Sequence, residues 1–204
     1  MIAATRRISI AVGVLFAGMR PAGAHIVSLR LGDFYEGALH PLTDLQDLIL
    51  WISLGVLAGS LGAARGRWLV LVFPVGLLTG LLSAHVLGTF AGGPAVNACM
   101  TLLVGLLLAA ALRIPTLLLC TMAFVLAVIR GAANAGDLVP QTDRLLFAAG
   151  LAGLGYAVIT LVMALTVTFR ETGSSMAWHG IAIRALGGWI AAVGMMMTGL
   201  SLAS

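Results

Sequence analysis

The chain has 204 residues, of which 61% are apolar and only 9% charged, with a mean hydropathy of +1.12. A soluble domain carries roughly 25% charged residues, so the deficit excludes an ordinary cytosolic enzyme, a nucleic-acid binder, a disordered chain and a disulfide scaffold. The composition is that of an integral membrane protein in a lipid bilayer, and the formal charge of +4 needs its position along the chain to be interpreted.

The first 24 residues read as a secretory signal. Arg6 and Arg7 form a basic pair, residues 8–18 are an apolar run, and Ala22-Gly23-Ala24 has the small-x-small pattern of a cleavage site. At about 1.5 Å per residue that run is too short to cross a core of about 30 Å. Cleavage after Ala24 would remove Arg6, Arg7 and Arg20. Eight arginines then face seven acids, and the net charge falls to +1. Much of the basic excess is targeting charge, so it says little about nucleic acid or acidic lipid.

Six further apolar stretches follow, at 45–64, 68–87, 95–112, 115–129, 145–169 and 181–203. Each approaches the length of a membrane-crossing helix, and none shows the two-residue alternation of a β-barrel strand. The expected fold is therefore an all-α membrane protein: a single six-helix transmembrane domain, 25–204, behind a cleaved signal peptide, 1–24. Arg65 and Arg67 follow the first stretch, Arg113 the third and Arg170 the fifth, with Arg184 near the start of the sixth. Arginine thus marks every second connection, as cytoplasmic loops do. Six acids (Asp33, Glu36, Asp44, Asp47, Asp137, Asp143) fall on the other side, leaving Glu171 inside. Both mature termini are expected outside.

Glycines within the stretches, notably Gly55, Gly59, Gly76, Gly80, Gly150, Gly153 and Gly155, predict close helix packing. Pro74 is expected to bend its helix. The small-residue stretch after Arg130 is expected to break the fourth span. Cys99 and Cys120 lack metal-ligand or redox spacing and are expected to be buried apolar thiols. Met195, Met196 and Met197 are about 100° apart around a helix and cannot share one site, so packing is expected. Trp68 and Trp178 suit an interface belt. No GxSxG, HExxH, P-loop or dinucleotide motif occurs, and nothing argues for an enzyme.

The residues with chemical potential lie at the outer end. If Pro41 occupies the first helical position, His40, Asp44 and Asp47 fall within about 60° of one helix face. An imidazole and two carboxylates suit nickel, cobalt or zinc, although Asp44 alone could serve the helix dipole and His40 the helix start. Asp47 runs directly into Leu48-Ile49-Leu50-Trp51. An intramembrane carboxylate demands a partner, and His85 and Arg130 are the candidates, with Asp137 a further acid at the same end.

This layout resembles the HupE/UreJ family, membrane proteins encoded with hydrogenase and urease systems and regarded as nickel or cobalt permeases. The likeness spans signal segment, mature N-terminal His25, six spans and His40-Pro41-Leu42. The family pattern there is roughly His-Pro-Leu-x-Gly-x-Asp-His, and here Asp44, Gln46 and Asp47 stand at its Gly, Asp and second His. A later family motif, roughly His-Gly-x-Ala-His-Gly-x-Glu, corresponds to Arg130-Gly131-Ala132-Ala133-Asn134-Ala135-Gly136-Asp137, without either histidine. The resemblance implies a bacterial inner-membrane protein, outward termini, and a divalent metal, nickel or cobalt, as substrate at His40, Asp44, Asp47, His85 and Asp137. Arginine cannot ligate, so an Asp47–Arg130 ion pair implies the alternative, a transport-inactive subunit of a membrane complex.

Overall fold

The computed structural model describes residues 24–84, 93–136, 138, 141–171 and 176–203. The expected signal segment up to residue 23, His85 and Asp137 lie outside the described residues. Every regular element among the described residues is a helix: α1 (Ala24–Thr43), α2 (Leu45–Ser60), α3 (Ala63–Leu82), α4 (Pro94–Ala110), α5 (Thr116–Ala135), α6 (Arg144–Glu171) and α7 (Met176–Ala203).

Four of these, α3, α5, α6 and α7 from Trp178 onward, are long and apolar enough to cross a bilayer. The part of α1 from Gly32 and the whole of α2 pass the same test together but are bent by 82°, as in a broken span or a re-entrant loop. Among the described residues this gives four candidate membrane spans, or five if the bent pair is one span, where the sequence reading expects six. α2 has 16 residues and α4 has 17, so neither reaches the spanning length of about 20 residues alone.

α1 was not expected. The sequence places His40-Pro41 at the start of the first span, whereas in the structure both belong to the last turns of α1. Asp44 has extended backbone (φ −90°, ψ 103°) and caps α2, its Oδ1 accepting the Gln46 N–H at 2.8 Å. Pro41 supplies no N–H to the turn before it, and the helix stops two residues later. A continuous helix from Pro41 through Asp47 therefore does not exist.

Three helix pairs are packed through missing side chains. In α1 and α6, a Cβ on Gly37 would meet the backbone of Phe147, and one on Gly150 the backbone of Phe34. In α3 and α5, Gly80 abuts the Val128 backbone and Gly131 that of Leu77. In α4 and α7, Gly105, Gly187 and Gly194 do the same against Ala191, Ala109 and Leu102. Such close approach is how helices associate where lipid removes the hydrophobic drive. Gly153 meets nothing and is not part of this packing. α2 lies among the pairs, touching α1, α3, α4, α6 and α7. Its Trp51 is fully buried, edge-on to Phe73 at 5.6 Å between ring centroids.

Three local expectations need correction. α5 continues through Gly131-Ala132-Ala133-Asn134 to Ala135, because those small residues form the contact with α3 and do not end the helix. Cys99 is exposed and Cys120 half-buried. Met195 and Met196 point outward. In a membrane an apolar side chain can be solvated by lipid, so apolarity does not dictate burial within the protein.

The helix directions separate many of the charges, although Arg130 and Arg144 lie at the acid-bearing end and Glu171 at the other. Arg170, in the last turn of α6, donates from Nη1 to the Ser60 carbonyl at 2.7 Å. Arg184 Nε donates to the Ala109 carbonyl at the end of α4 (3.1 Å). Each caps the negative end of a helix, as a cation there should. At the opposite end, Asp143 caps α6 through Leu145 N–H (2.9 Å), and its own N–H reaches Asp33 Oδ2 at 2.8 Å. Asp44 and Asp47 open α2 at that same end.

Candidate functional site

Two ion pairs meet at Arg130. Asp47 sits in the first turn of α2 with 0% of its surface exposed. Arg130 comes from the last turns of α5, its side chain 4% exposed. Its Nε donates to Asp47 Oδ1. Its Nη2 donates to Asp44 Oδ2 at 2.8 Å. One guanidinium therefore joins both carboxylates and ties α5 to the break between α1 and α2.

Asn134, one turn beyond Arg130, completes the cluster. Its Nδ2 donates to Asp47 Oδ2 at 3.1 Å and back to the Arg130 carbonyl at 2.7 Å. With the Gln46 N–H on Asp44 Oδ1, each of the four carboxylate oxygens accepts an N–H. This satisfaction is what a buried charge requires, since an unpaired one costs several kcal/mol. The helix dipoles add to it, because the acids stand at a helix N-terminus and the arginine near a C-terminus. Asn134 is the member that the sequence reading missed. The available signal was its i+4 spacing from Arg130, which puts both on one face of α5.

The remaining expected site residues are arranged differently. His40 is half-buried on α1, its ring 6.1 Å from that of Phe147 on α6. It does not share a helix with Asp44 and Asp47, because the chain turns between them. His85 and Asp137 lie outside the described residues. Among the described residues, no group of three or more His, Cys, Asp or Glu side chains is placed to hold a metal ion. As built, the cluster is a hydrogen-bonded ion triad of two carboxylates and one guanidinium. Arginine remains charged and offers no lone pair, so a cation could reach Asp47 only by displacing it.

The HupE / UreJ protein family model matches residues 12–197. The chain belongs to the HupE/UreJ family. Membership places it among nickel- or cobalt-related accessory or transporter-like membrane proteins, a family not known for enzymes. No curated protein and no solved structure matches the chain closely enough to add to this assignment. Arg130 and Asp47, the two positions at which the resemblance set out above implies histidine, are joined directly in this chain.

Proposed function

We propose that this HupE/UreJ protein serves a nickel- or cobalt-handling system as an accessory or structural membrane subunit, with the Asp44–Arg130–Asp47 triad in place of a metal-access site. The observation that carries this reading is the saturation of both carboxylates by Arg130, Asn134 and Gln46. A guanidinium at the deepest acid repels an incoming cation and removes the need for one.

The second reading is a divalent-metal permease that takes up nickel or cobalt from the outer face through His40, Asp44, Asp47, His85 and Asp137. Two features favour it: the triad has one acid in excess, and the Asp44 side chain is 36% exposed. Both readings share a topology of six membrane-crossing helices, α2–α7, with α1 between them and a cleaved signal, in a bacterial inner membrane, with outward termini. The gathering of Arg170 and Arg184 at one end and of Asp33, Asp44, Asp47 and Asp143 at the other supports it.

Bound-metal analysis of purified protein after exposure to nickel or cobalt separates the two. The accessory reading expects no retained metal and no uptake into proteoliposomes. Stoichiometric metal that is lost in Asp47→Ala, together with uptake by the parent, would establish the permease.

A further inference from the structure

We infer that the arginine-bearing end of the bundle holds an anionic phospholipid, its phosphate among Arg65, Arg113 and Arg170 and an acyl chain in the groove beside α7. Two adjoining cavities carry the inference. The first, about 430 Å³, is lined by Arg65, Arg113 and Arg170 with the turn Ser60–Gly62 and contains no acid. The second, about 200 Å³, shares Ser60, Leu61, Arg113 and Arg170 with it and adds Arg184. Four arginines thus line two adjoining spaces.

Arg170 and Arg184 are anchored on the helix carbonyls described above, which fixes their positions. The side chains of Arg65 and Arg113 make no hydrogen bond or ion pair among the described residues and remain exposed. Glu171 is the single acid near this end in the sequence, and it lines neither cavity. The first turn of α3 forms one wall, and its N-cap Gly62 has no side chain to satisfy the first N–H groups. A phosphate, with several acceptor oxygens, suits the donors of Arg65, Arg113 and Arg170 around the first cavity. Mutual repulsion of the arginines falls when it arrives.

An apolar groove makes the occupant a lipid. A cavity of about 300 Å³ between α2, α6 and α7 is walled by Val56, Val162, Leu165, Phe169, Ala182 and Ile183. Ile183 also borders the arginine-lined space, so the apolar slot adjoins the charged one. Basic pockets between membrane helices take lipid head groups in this way. Trp68 and Trp178 are both exposed at this end, and indole rings are enriched where a membrane meets water.

The test uses the full protein in a neutral detergent with added dioleoyl phosphatidylglycerol, dioleoyl phosphatidylcholine, or inorganic phosphate. Retained lipid is read by native mass spectrometry and stabilisation by melting temperature. Phosphatidylglycerol should be retained and should raise the melting temperature; phosphatidylcholine and phosphate should do neither. In Arg65→Gln/Arg113→Gln the affinity should fall about 30-fold, from about tenfold per 1.4 kcal/mol and about 1 kcal/mol per cation. Melting without lipid should be unchanged, since neither side chain holds a structural bond among the described residues. Ala182→Phe fills the groove and should weaken retention while the arginines remain. Equal retention of the two lipids, unaltered binding by both variants, or stabilisation by phosphate alone equal to that by phosphatidylglycerol would overturn the assignment.

Discussion

Removing Arg130 should cost this bundle more than any other single charge change, and the cost should largely vanish when Asp47 is removed with it. Arg130→Gln leaves Asp47 buried at 0% exposure with only Asn134 on its carboxylate. Breaking one side of such a pair costs about 3–5 kcal/mol. Asp47→Asn is gentler, about 1–3 kcal/mol, because the guanidinium keeps its 2.8 Å bond to Asp44. Asp44→Asn should cost about 1 kcal/mol or less, since that carboxylate is 36% exposed and its charge is screened. The double variant Asp47→Asn/Arg130→Gln should fall short of the sum of its singles by about 2 kcal/mol, within the range for contacting residues. Equilibrium unfolding in mixed micelles measures all four proteins. Additivity within about 0.5 kcal/mol, or an Asp44→Asn cost equal to that of Arg130→Gln, would refute the reasoning.

Arg130→His should create metal retention absent from the parent, read by bound-metal analysis; unchanged retention would show that the arginine is not what keeps the cation out. Gly80→Val and Gly131→Val should each destabilise the α3–α5 contact by several kcal/mol, because a Cβ there meets backbone, whereas Gly153→Ala should be neutral in the same unfolding assay. In a background of Cys99→Ser and Cys120→Ser, Ala64→Cys and Gln141→Cys should label from opposite faces of the membrane; labelling of both from one face would reject the topology. Intact mass of membrane-extracted protein should begin at His25, and retention of residues 1–24 would reject signal cleavage.

The class of fold was legible because composition alone forces it, and the helix positions followed because apolar runs in a membrane protein have few other uses. α4, α5, α6 and α7 begin within about five residues of the expected stretches. The same logic concealed α1. Arg30, Asp33, Glu36 and His40 make 24–43 too polar to read as a span, yet small residues such as Gly37 let it pack closely on α6. Pro41 fits either the start of one helix or the end of another, so the break at Asp44 depends on which neighbour the chain packs against. The stretch after Arg130 was misread for a related reason. Glycine weakens an isolated helix, but in a close helix pair its missing side chain is the contact. Which apolar side chains face lipid was not readable at all, as Cys99 and Met195 show, because bilayer and protein interior select the same residues.

The charge balance of the triad explains why arginine at 130 and acid at 47 belong together. Two carboxylates and a guanidinium leave one negative charge, and the N-terminus of α2 contributes about half a positive charge in opposition. The remainder sits with Asp44, the member that water can reach. Put a neutral histidine at 130, and both carboxylates stand uncompensated beside a low-dielectric core. A divalent cation would then cancel them completely, and the site would require it for stability. The guanidinium performs that neutralisation permanently, and it does so from α5, which is locked to α3 through Gly80 and Gly131. The bend between α1 and α2 is therefore held by a fixed charge on a rigid pair of helices, and any cation that displaced Arg130 would also release the bend.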